Sequence, residues 1–279
     1  MALTELGREL TEEHRLAQLS IGASGALNSE ALWQLLDPHD IEGSRARWVA
    51  ASTKAAEITF ATSVQAASLY VSNYQAVEVP GSDRVVLQPK FDRRKVANDL
   101  DLAGPQYVKS LIGKGYSPTE AHRYAHSRIL GLGRKHAMDG GRGLIDATSS
   151  QDRRSIGYRR VTGPDPCTFC AMLASRGAMF GSQRQHSVYR SEETALIRSY
   201  DGKKYHLHCN CTAEIVYGDW QPTGREQEYV DAYERAARAV DSQKLPRTQE
   251  NILHLMRADD KAGFRDNLTR RRKTPLVDD

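Results

Sequence analysis

All four cysteines of the 279-residue chain fall between positions 167 and 211. They form two short clusters, Cys167-Thr168-Phe169-Cys170 and His206-Leu207-His208-Cys209-Asn210-Cys211. A Cys-x-x-Cys pair followed by a His-x-x-Cys is a metal-ligand spacing, because three thiolates and one imidazole close a tetrahedron around Zn²⁺. The gap from Cys170 to His206 is 35 residues, against about 12 in a C2H2 finger. Closing the longer loop costs only about 1 kcal/mol more, little beside the roughly 10–16 kcal/mol a structural zinc site contributes in small peptides. The expected ligands are Cys167, Cys170, His206 and Cys209, with Cys211 or His208 in reserve. Such a set fills all four positions, which makes the zinc structural rather than catalytic. Two disulfides, or four unrelated buried thiols, are the competing readings. The N-terminus mixes acids with apolar residues and shows no signal-peptide core, so the chain is expected in the cytosol, where thiols stay reduced and metal is favoured.

Around these clusters the pattern is short strands, Gly157–Val161 and Thr212–Tyr217, with Thr162–Pro166 as the turn that delivers Cys167. The rest of the chain reads as helix. Leu3–Leu19 is amphipathic with Thr4 as cap, Ser20–Asn28 breaks it, and Asn28–Leu36 forms a second, short helix. Ile41 to about Gln75 is alanine-rich and the longest helical pattern. A helical region covers about Asp92 to Lys114. Ser117-Pro118-Thr119-Glu120 is a helix start, with Ser as cap, Pro at the first position and Glu at the third. Gly131, Gly133, Gly140, Gly141 and Gly143 should thin that helix out, with a hinge or domain boundary near residues 139–150. Residues 225–240 and 248–257 are helical. The fold class is therefore mainly α. An N-terminal helical bundle spans 1–145, a small α+β zinc-binding module 150–220, and C-terminal helices with a basic helical tail 221–279. Without metal, the module's short strands should be unable to bury enough apolar area to stand alone.

The pattern Asp165-Pro166-Cys167-Thr168-Phe169-Cys170, then Arg176-Gly177, then His206-x-x-Cys209-x-Cys211 resembles the C-terminal region of phage Mu F-like minor head proteins. The likeness covers roughly residues 115–217. Leu207 stands where that family has Pro, and Asn210 where it has Arg. The resemblance implies a minor capsid protein acting in head morphogenesis, with the phage portal and capsid proteins as partners. It further implies host cytoplasm during assembly and the inside of the virion head afterwards. Packaged DNA is a further implied partner, and the run Arg270-Arg271-Arg272-Lys273 is the candidate for its phosphates. Arg93-Arg94-Lys95, Arg153-Arg154 and Arg159-Arg160 are lesser basic stretches. The overall net charge of +4 does not by itself argue for nucleic acid. No apolar run approaches the roughly 20 residues that span a membrane, so no membrane partner is expected.

Similar actinobacteriophage proteins are labelled capsid maturation protease, which is the alternative reading. Against it, the chain lacks Gly-x-Ser-x-Gly, Ser-x-x-Lys and His-Glu-x-x-His, the local signatures of common hydrolase sites. His122 and His126 lie on one helix face but read as a solvated or interface pair. No catalytic residue is assigned; the reading leans away from an enzyme without closing the question, and the activity, if there is one, is that of a capsid maturation protease.

Overall fold

The computed structural model describes residues 2–177, 205–219, 221–222, 224–259 and 261–264. The run Arg270–Lys273 lies outside them. The described chain is mainly helical with one two-stranded sheet. Its elements are α1 (Glu5–Trp33), α2 (Ile41–Glu78), α3 (Arg93–Ala103), α4 (Pro105–Gly113), α5 (Pro118–Gln151), β1 (Gly157–Val161), α6 (Thr168–Ala174), β2 (Thr212–Val216), α7 (Arg225–Ser242) and α8 (Gln249–Ala258). Two compact units emerge. One comprises Thr4–Thr148 with Tyr205–Asn210; the other comprises Met1–Leu3, Ser149–Lys204 and Cys211–Asp279.

In the first unit, two expectations fail for the same reason. The Gly/Ser/Ala-rich stretch 20–28 does not break α1, and the glycines of α5 do not thin that helix out. Both helices run unbroken. Their glycines serve close approach instead. A Cβ on Gly25 would lie 2.6 Å from the Gly133 carbonyl oxygen and 2.7 Å from the Ala137 Cβ. A Cβ on Gly133 would lie 2.0 Å from Ser29 Oγ, and one on Gly140 would meet the Phe60 carbonyl at 2.4 Å. Glycine costs up to about 1 kcal/mol in a helix interior, and here that cost is offset by letting α5 seat against α1 and α2. Polar groups follow into the contact. Gln18 Nε2 donates to the Ser63 carbonyl (3.0 Å), Ser63 Oγ donates to Gln18 Oε1 (2.6 Å), and the Gly141 amide donates to Ser63 Oγ (2.7 Å). Three helices thus share one satisfied buried network, which a partly satisfied one could not match.

The helix starts follow the sequence. Thr4 Oγ1 accepts from the Gly7 amide and donates to Glu78 Oε1 at 2.6 Å, so the cap of α1 is also tied to the end of α2. At α5, Ser117 and Glu120 form a reciprocal capping box. The region 92–114 divides at Gly104-Pro105 into α3 and α4, where a Cβ on Gly104 would meet the Trp48 ring at 2.7 Å. Trp48 is fully buried and meets Trp33 edge-on at 5.4 Å, within a core that adds Leu36, Leu100, Val108 and Ile129.

In the second unit, β1 and β2 pair antiparallel from Gly157↔Val216 to Val161↔Thr212. Cys167 follows a bend at residues 164–165 and caps a short helix, α6, that the sequence pattern did not reveal. This unit has an apolar core of its own, built by helices rather than by the strands. Met172 and Leu173 of α6, Tyr229 and Val240 of α7, Ile252 and Met256 of α8, and Phe264 form one buried cluster. Most of that buried area comes from α7 and α8, the two helices expected over 225–240 and 248–257.

Adding the methyl group of alanine at Gly25 should improve local helix propensity yet lower stability by about 1–3 kcal/mol through overpacking. Urea denaturation of Gly25→Ala checks the sign, and a stabilised variant would refute the close-packed seam. A second expectation concerns pH. Burial pushes the pKa of His14, stacked on Tyr70 at 4.3 Å, down to about 3, and that of His136 down to about 4. The unfolded chain protonates both near 6.5, so the native state binds fewer protons below that pH. Stability is then full above pH 6.5 and falls as pH drops toward 4, by up to about 1.4 kcal/mol per pH unit for each histidine. A urea midpoint constant between pH 7 and 5 would contradict this.

Candidate metal centre

Each candidate ligand is placed by a distinct local device. Cys167 is the N-cap of α6, and Cys170 lies in its first turn. Cys211 immediately precedes β2. His206 to Cys209 form one tight turn, closed by the Cys209 amide donating to the His206 carbonyl at 3.1 Å. The turn needs a left-handed residue and uses His208, at φ 61°.

All four cysteines are free thiols, so the disulfide reading is not what the structure adopts. Two groups of potential metal ligands occur among the described residues: Cys167, Cys170 and His206, and Cys170, Cys209 and Cys211. Within each group the ligand atoms lie within 4.8 Å of one another. Cys170, Cys209 and Cys211 are buried, while Cys167 and His206 are half-buried. The groups share Cys170 and together offer five donors, four thiols and one imidazole, which could hold a metal ion. His208 stands in neither group. Its ring lies where a Cβ on Gly131 of α5 would be, 2.7 Å from Nε2.

The surroundings suit ligation. His206 Nδ1 lies 2.6 Å from the Leu207 carbonyl. Only a protonated Nδ1 can bond there, which leaves Nε2 with the lone pair that a metal takes. Arg160, 1% exposed, sets Nη1 3.9 Å from Cys170 Sγ.

The turn carrying His206 and Cys209 is held from α5. Arg142 Nη2 donates to the Cys209 carbonyl at 2.9 Å, its guanidinium lies 3.8 Å over the Tyr205 ring, and Nη1 reaches Asp139. Arg134 Nη1 donates to Asn210 Oδ1 at 2.6 Å. Leu207 packs against the Trp33–Trp48 core. The two positions that depart from the Mu F-like pattern, Leu207 and Asn210, therefore have local partners of their own.

Sequence reasoning missed Arg134, Arg142 and Arg160. Only Arg160 left a signal. Adjacent residues on a strand face opposite sides, so on a strand with one packed face either Arg159 or Arg160 must point inward. Both are buried, and Arg159 pairs with Glu214 and Glu226, which removes this pair from the basic stretches open to phosphates. Arg154 and Arg93 are likewise engaged, with Asp152 and Glu57. His122 stacks on Trp33 at 4.4 Å and His126 meets Glu30 at 2.8 Å, so they are packing and surface groups.

Fold and site together define a mainly helical protein with thiol and imidazole groups that could hold a metal ion. The chain belongs to the VG15 protein family, a family of phage proteins, whose family model matches residues 6–239. No curated protein and no solved structure matches it.

Purified protein should contain about one metal ion per chain, and Cys170→Ser, which removes the donor common to both groups, should abolish it. Arg142→Ala should weaken metal affinity about 10–100-fold by loosening the Cys209 turn. Elemental analysis and competition with a chromophoric chelator measure both, and unchanged metal content in Cys170→Ser would exclude the site.

Proposed function

We propose that the chain is a minor capsid protein of a tailed phage that acts in head morphogenesis and carries a structural zinc ion. The observation that supports this reading most is the gathering of donors from both halves of the Mu F-like pattern, 167–170 and 206–211, into ligand groups, in a chain of a phage protein family. The proposed ligands are Cys167, Cys170, His206 and Cys209, with Cys211 as the fifth donor at hand and His208 in reserve. Zinc fits a thiol-rich donor set with an imidazole better than the hard cations, which take oxygen. Four protein ligands leave no open position for water, so the ion stabilises rather than reacts.

The partners in this reading are the portal and capsid proteins, with packaged DNA contacted non-specifically through Arg270–Lys273. The proposed organisation is a helical N-terminal domain over 1–145, the zinc module over 150–220 and a C-terminal part over 221–279. No helix among the described residues is long and apolar enough to cross a membrane. The proposed location is the host cytoplasm during assembly and the head interior afterwards.

The test is a head-assembly experiment in the phage that encodes the chain. Mass spectrometry should find the protein in purified heads, and affinity-tagged protein should co-purify the portal. Cys167→Ser and Cys170→Ser together should reduce its incorporation. Absence from heads would refute the proposal. Specific cleavage of capsid precursor by purified protein, abolished by a single Ser or His substitution, would replace it with the protease reading.

A further inference from the structure

Residues 106–138 hold six basic side chains (Lys109, Lys114, Arg123, Arg128, Arg134 and Lys135) and one acid, Glu120; the rest of the chain has 33 basic and 34 acidic residues. The positive excess of the protein is therefore concentrated in α4 and the first half of α5. Three of the six are engaged elsewhere: Lys109 with Glu42, Arg134 with Asn210 and Lys135 with Asp139. The other three, Lys114, Arg123 and Arg128, are exposed, and among the described residues none has a carboxylate within 4.0 Å. Glu120, the one acid nearby, is hydrogen-bonded to Ser117, and Arg123 contributes to holding its carboxyl below the usual range after those bonds.

Aromatic rings interleave with these cations. Tyr116 and Tyr124, 41% and 53% exposed, meet edge-on at 5.3 Å. Arg123 lies 5.5 Å from the centre of the Tyr124 ring, and Arg128 lies 4.9 Å over Tyr107 of α4. A buried ring would be core, and a lone arginine would be ordinary surface. Here two large rings stay in water at the bend joining two helices, flanked by cations without carboxylate partners. Unpaired cations attract a polyanion, and exposed rings give its bases a stacking surface.

From this arrangement we infer that the α4–α5 corner binds single-stranded nucleic acid. Lys114, Arg123 and Arg128 take the backbone phosphates, and Tyr116 and Tyr124 stack bases. Stacking has no base preference, so binding is sequence-tolerant. The inference rests on the corner alone and holds whether or not the chain acts in a phage head.

The test is fluorescence anisotropy with full-length protein and labelled oligothymidylate at about 50 and 200 mM salt. Affinity should fall steeply with salt. The combined substitution Lys114→Gln, Arg123→Gln and Arg128→Gln should weaken binding at least tenfold, whereas Arg123→Lys with Arg128→Lys should retain most of it. Tyr116→Ala with Tyr124→Ala should weaken binding to oligothymidylate several-fold and leave duplex DNA binding unchanged. All these side chains are on the surface, and matching melting curves establish that the variants fold. Unaltered affinity in the triple variant would overturn the inference. So would loss of binding only when Arg270–Lys273 are neutralised. Duplex bound as tightly as single strand, with the tyrosine variant silent, would also overturn it.

Discussion

The helical unit depends on how closely its backbones approach one another. Gly25 and Gly133 let α1 and α5 meet almost backbone to backbone, and Gly140 sets α5 against the Phe60 carbonyl of α2. At that distance few large apolar side chains fit, so the buried face of α1 is small or polar: Gly7, Thr11, His14, Gln18, Gly22 and Gly25. Each polar group brought in needs a partner. Ser63 serves Gln18 and the Gly141 amide, and Tyr70 serves Thr11 and stacks on His14. The larger apolar core lies toward the other end, where Trp33 and Trp48 meet.

This inversion explains what could be read in advance and what could not. Helix starts were legible because they are local chemistry: Thr4, and Ser117 with Pro118 and Glu120, act within four residues of sequence. The long α2 and both strands were legible from propensity and pattern. The runs of glycine in α1 and α5 were misread because a glycine that ends a helix and one that admits a neighbour look alike in one dimension. Leu6, Leu16 and Leu27 of α1 are exposed while its glycines are buried, so the apolar stripe of that helix does not mark its packed face.

The candidate site was legible to the extent that its chemistry is carried by residue types at fixed spacing. Cys167, Cys170, His206, Cys209 and Cys211 all fall in the ligand groups. Their support was not legible, because it comes from far along the chain. Arg142 lies 67 residues from the Cys209 carbonyl it bonds, and Arg134 lies 76 from Asn210. A distant arginine has no sequence mark that separates it from a solvated one.

The way the ligand-bearing segments are held bears on when a metal would arrive. Cys170 sits in a helix whose Met172 and Leu173 are already anchored in an apolar cluster, and the Cys209 carbonyl is fixed by a guanidinium. Neither hold requires an ion. In small zinc fingers, capture of metal and collapse of the chain are one event. Here the ligand-bearing segments have packing and hydrogen bonds of their own, so an ion would meet positions already held. Were a metal ion bound there, its acquisition would be a step separate from synthesis of the chain, timed by metal supply.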